Sequence, residues 1–178
     1  MEELETPIEK IQENIHEIAH HAQENWIGRV ALFSALVAVA AAVAALMAGH
    51  HSNEAMIKQI KASDAWSFYQ AKGIKSSILQ SKIETLSALG KNPEEADQNK
   101  ITDYKNQQED ISEQAKDFEK ESEHHLAIHQ IFAQAVTLFQ VAIAVGAISI
   151  LTRRKKIIYI GVGFSLLALV FFIQALLQ

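Results

Sequence analysis

The chain is expected to be an all-α membrane protein: three transmembrane helices, a long antiparallel, coiled-coil-like helical hairpin between the first and second, and a short amphipathic N-terminal helix. Two observations carry that expectation. Nearly half of the 178 residues are apolar, yet the mean hydropathy is only +0.03, because apolar residues gather in three blocks and charges lie between them. There are also only two prolines, Pro7 and Pro93, so long helices meet few breakers.

The apolar blocks set the membrane segments. The first, 27–49, holds a single charge, Arg29, near its start. The second, 131–152, is interrupted only by Gln134 and Gln140 as strongly polar groups, and the third is 157–177. Each has about the 20 residues a helix needs to cross roughly 30 Å of hydrocarbon. Residues 1–26 carry seven acids and one lysine, unlike the basic start of a cleaved signal peptide, so the first segment should stay as an anchor. Arg153, Arg154, Lys155 and Lys156 form a four-residue basic loop, 153–156, between the second and third blocks. Short basic loops stay cytoplasmic. The N-terminus is then cytoplasmic, and the hairpin and the C-terminus are outside.

The spans differ in character. The first is alanine-rich (Ala35, Ala38, Ala40, Ala41, Ala42, Ala44, Ala45, Ala48), which lets helices approach closely. The third carries bulky Leu166, Leu167, Leu169, Phe171 and Phe172, suited to membrane lipid.

The segments outside the spans read as helices too. In 1–26, Thr6 and Pro7 suit a helix start, and Ile8, Ile11, Ile15, Ile18 and Ala22 form a seam alternating at three and four. Isoleucine at both core positions favours assemblies larger than dimers. In 50–130, Gly90 suits a helix end, and Asn92, Pro93, Glu94 and Glu95 suit a new helix start, so the turn lies near 90–93. Nothing separates either arm from its span. Two long continuous helices are expected, projecting by about 55 Å at 1.5 Å per residue. Ile101, Tyr104, Gln108, Ile111, Ala115, Phe118, Ser122, His125, His129 and Phe132 mark the inner seam of the descending arm. On the rising arm Ile60, Ala71, Ile74, Ile78, Ile83 and Leu86 form a less regular stripe, with an aromatic cluster at Trp66, Phe68 and Tyr69 and a close approach at Gly73.

Candidate chemistry is sparse. Cysteine is absent, which excludes disulfides and thiolate metal sites. No basic patch points to nucleic acid. His16-Glu17-Ile18-Ala19-His20 fits H-E-x-x-H, which on a helix sets two imidazoles one turn apart beside a water-activating glutamate. His16 and His20 would lie opposite the isoleucine seam, on a solvated face with no third ligand signalled, so a peptidase is not the leading reading. His50 and His51 end the first span, and His124, His125 and His129 precede the second. Antiparallel arms would bring the two sets together. His50, His51, His125 and His129 are the candidate ligands for a transition metal, or the parts of a proton-sensitive clamp. Hydrogen bonding at two helix ends is the simpler role for them. No catalytic constellation and no cofactor is expected. The spans carry no acid or lysine, against a proton-coupled transporter. A channel would need a polar path that only Gln134 and Gln140 suggest.

Three stretches carry a resemblance: Glu-Ile-Ala-His-His-Ala at 17–22, Ala-Gly-His-His-Ser-Asn-Glu-Ala at 48–55, and Trp-Ser-Phe-Tyr-Gln-Ala-Lys-Gly-Ile-Lys at 66–75. With the three spans, they resemble a family of small bacterial membrane proteins catalogued as domain of unknown function 4337. The resemblance implies a bacterial inner membrane and no established activity. The leading expectation is a structural or interaction protein, a homo-oligomer joined through its arms and spans, with an unidentified protein partner as the other way to cover the arms. A metal-binding or metal-responsive protein is the alternative.

Overall fold

The computed structural model describes residues 25–178. They form α1 (Asn25–Ala88), α2 (Glu95–Leu151), a 3₁₀ turn (Lys155–Ile157) and α3 (Ile158–Leu176). There is no strand among the described residues. All three helices are long and apolar enough to cross a membrane. The isoleucine seam expected at 8–18 and the H-E-x-x-H histidines lie outside the described residues.

Backbone chemistry explains where the helices end. Gly90 has φ +69, and its N–H donates to Ser87 O at 3.0 Å while Lys91 N–H donates to Leu86 O at 2.9 Å. This pair of bonds closes a helix on a left-handed residue, the role glycine fills without a Cβ penalty. α2 ends the same way on a residue less suited to it. Arg153 N–H donates to Ile150 O at 3.1 Å, Arg154 N–H to Ser149 O at 3.2 Å, and Arg153 takes φ +51. The buried Ser149 hydroxyl donates to Arg154 O at 3.0 Å and ties the basic turn to the helix it follows.

The contacts divide the chain into two units: the described residues up to Ala48 with Gln130–Gln178, and Gly49–His129. In the first, Val30, Val37, Ala41, Ala44 and Ala48 are buried on α1, and Phe132, Ala135, Phe139, Ala142 and Ser149 on α2. Small residues let these helices pack closely. A Cβ on Gly146 would sit 2.7 Å from Ser34 Oγ, and one on Gly161 of α3 would sit 3.1 Å from the Ala142 carbonyl. Phe172 of α3 meets Phe132 edge-on at 5.6 Å. The alanines of α1 are divided: Ala41, Ala44 and Ala48 are buried, whereas Ala35, Ala38, Ala42 and Ala45 are exposed. Leu32, Leu36, Val39 and Leu46 are exposed beside them.

In the second unit, α1 and α2 contact one another in antiparallel order: Ala55 with Ser122, Lys58 with Glu121, Tyr69 with Gln108, and Lys82 with Asp97. The descending seam read from sequence is present. Ile101, Ala115 and Ser122 are buried, and Tyr104, Gln108, Ile111, Phe118 and His125 are half-buried. The stripe read from sequence on the rising arm divides: Ile83 and Leu86 are half-buried, whereas Ala71 is exposed. Ile60, Ile74 and Ile78 are 54%, 61% and 63% exposed. The inner positions are His51, Ala55, Lys58, Ala62, Ala65, Tyr69, Lys72, Ser76, Leu79, Ile83 and Leu86, an unbroken alternation of four and three. Lysines are tolerated in that seam because their ammonium groups face aromatic rings. Lys58 lies 5.9 Å from the Phe118 centroid and Lys72 5.3 Å from Tyr104, and Lys61, outside the seam, approaches Phe118 at 5.8 Å. Gly73 leaves room for Gln108, whose amide donates to Tyr69 O at 3.1 Å.

Candidate functional site

The histidines supply the one concentration of reactive side chains in Gly49–His129. Their placement follows from the seam. His51 is an inner position of α1 and His125 an inner position of α2, and the antiparallel register brings their Nδ1 atoms to 3.0 Å. At that distance one Nδ1 carries the hydrogen and the other accepts it. The two rings are tilted by 37° with centroids 5.3 Å apart. His50 meets His51 edge-on at 5.4 Å, and His124 lies 6.0 Å from His125. Four imidazoles therefore stand in a row, His50–His51–His125–His124. The outer two are exposed and the inner two half-buried.

His129 is half-buried one turn further along α2. The more deeply buried position there is Ile128, 3% exposed, so the inner seam shifts by one residue just past His125. The four sequence candidates thus resolve into a contacting pair, His51 and His125, with His50 against one ring of it and His129 beyond. Among the described residues, no group of three or more His, Cys, Asp or Glu side chains is already arranged to hold a metal ion.

The surroundings bear on charge. His51 is held below the ordinary histidine range, first by partial burial and then by the positive potential of His125, His50 and His124, with Glu54 opposing. One turn inward, Ser122 Oγ donates to Ala55 O at 2.8 Å. Lys58 pairs with Glu121 and holds its carboxyl below the usual range. Trp66 Nε1 donates to Glu119 at 2.8 Å. The sequence showed these side chains separately. Only the register of α1 against α2 pairs them.

A second feature of Gly49–His129 is an apolar face. At 100° per residue, Met56, Ile57, Ile60, Ala71, Ile74 and Ile78 gather on the side of α1 opposite Ala55, Ala62 and Ser76. Met56 and Ile57 are 58% and 41% exposed, and Phe68 at the edge of the face is 64% exposed. On α2 between Glu95 and His129, Leu126 is the only exposed large hydrophobic residue. The unpartnered apolar surface of this unit thus belongs almost wholly to one face of one helix.

No curated protein and no solved structure matches the chain. The family model described as Domain of unknown function (DUF4337) matches residues 26–178, which covers α1, α2 and α3 together. The chain belongs to the DUF4337 family.

Proposed function

We propose that the protein is a membrane-anchored interaction protein that self-associates through the isoleucine face of α1. The observation that carries this reading is the exposure of Ile60, Ile74 and Ile78 on a helix whose opposite side already has its partner. Exposed apolar side chains gathered on one side of a helix mark an interaction site, and Asp64 and Ser67 divide this face into a stretch at Met56–Ile60 and another at Ala71–Ile78. Its occupant is a second copy, because the matching apolar surface within the same unit is that face itself. Such a contact is isologous: each copy offers the same residues to the other.

The three apolar helices anchor the protein in a bacterial inner membrane. Gly49–His129 forms a helical hairpin beyond the membrane surface. One feature of the anchor supports an orientation with the basic turn in the cytoplasm. Arg153, Arg154, Lys155 and Lys156 follow the positive-inside pattern. Lys155 sits 5.5 Å from the Trp26 ring, so the start of α1 and the basic turn share one end of the anchor.

The chain has no cysteine, which makes thiol placement a clean test. Chains bearing Ile60→Cys, Ile74→Cys or Ile78→Cys are treated in native membranes with a short bismaleimide. Each should give a covalent dimer, whereas Glu109→Cys, on an exposed position of α2, should not. Equal cross-linking at Glu109→Cys, or none at the three isoleucine positions, would overturn the reading.

A further inference from the structure

The geometry points to a transition-metal site at the histidine row, with the Nδ1 atoms of His51 and His125 as its first two ligands. The two nitrogens are 3.0 Å apart, close enough to bind one ion together once the hydrogen between them has moved. Zinc–imidazole bonds are about 2.0–2.1 Å long, and an ion at that distance from both nitrogens would subtend about 94°. A tetrahedral angle needs the nitrogens only about 0.3 Å further apart. The ion displaces the bridging hydrogen and lies to the side of the line between the two nitrogens. The donor imidazole moves its N–H from Nδ1 to Nε2, a tautomer change that leaves the ring neutral.

Both helices carry a histidine doublet, His50-His51 and His124-His125. The outer rings already touch the inner ones, at centroid distances of 5.4 and 6.0 Å. They are exposed, so they can change rotamer without leaving a cavity. His50 or His124 closes the third position and water the fourth. An all-nitrogen set completed by water suits zinc, copper(II), nickel or cobalt rather than calcium or magnesium. Because each helix supplies one inner ligand, the ion would clamp α1 to α2 within Gly49–His129.

The test uses the untagged full-length chain in mild detergent, with His16, His20 and His21 replaced by asparagine so that only the five histidines of Gly49–His129 remain. Zinc chloride is titrated calorimetrically, and cobalt(II) binding is followed by its d–d absorption. The expected result is one zinc per chain and a cobalt spectrum of nitrogen ligation. His51→Asn or His125→Asn should then weaken zinc binding at least tenfold, with helical circular dichroism unchanged. Absence of saturable zinc binding, or undiminished affinity in both asparagine variants, would overturn the site. If either variant loses its helical signal, the parent's cobalt spectrum decides, and that of the aqueous ion would overturn the site.

Discussion

At the scale of single residues, a backbone conformation at Arg153 and an ion pair at Glu121 each have a measurable consequence. Arg153 occupies a left-handed conformation that costs a non-glycine residue about 1 kcal/mol. Arg153→Gly should therefore raise the thermal midpoint in detergent, by about 1 kcal/mol of stability, while three basic residues remain to keep the orientation. Glu121 illustrates pH dependence. Lys58 holds its carboxyl below the ordinary value, so the folded state binds fewer protons than the unfolded chain. That contribution is complete above the ordinary glutamate range and is lost as pH falls through the folded value. Glu121→Gln should flatten the acid limb of a stability-against-pH profile relative to the parent. An unchanged limb would mean that the pair is too solvated to matter. Which histidines meet was legible in part. Antiparallel arms bring His51 toward His125 from chain position alone, but the one-residue shift that puts Ile128 inside in place of His129 has no signature in the sequence.

The helices themselves show what apolar patterning reveals and what it hides. The inner seam of α2 could be read directly, because Ile101, Ile111 and Phe118 stand at its heptad positions among polar neighbours. The seam of α1 could not. Its inner positions hold Ala55, Ala62, Ala65 and Ser76, with Lys58 and Lys72 between them, while Ile57, Ile60, Ile74 and Ile78 occupy the outer side and only Ile83 lies inside. The most apolar face of α1 in the unit Gly49–His129 is therefore mostly its outer one. Small residues are inside because α2 brings Phe118 and Tyr104 to that line, and close approach leaves little volume. Two substitutions examine this packing. Ala62→Leu, at a fully buried position, should overpack the seam and cost about 1–3 kcal/mol in thermal unfolding. Ile78→Ser, on the outer face, should leave the stability of a single copy nearly unchanged. In the anchor, Gly161→Leu should push α3 from the Ala142 carbonyl and lower the thermal midpoint, as Gly163→Leu, with open space at its Cβ, should not.

For the whole molecule, the all-helical class and three apolar segments were legible from block hydropathy and the scarcity of proline. Function was less so, because it depends on which surfaces remain after folding. The proposed self-association rests on the exposed isoleucines of α1 beside a satisfied seam. The most direct measurement is the mass of the purified protein in mild detergent, by light scattering corrected for bound detergent. The account predicts a discrete multiple of 19.8 kDa that collapses to a single copy when Ile60, Ile74 and Ile78 are all replaced by serine. A parent chain that is already a single copy, with no cross-linked species in native membranes, would contradict it.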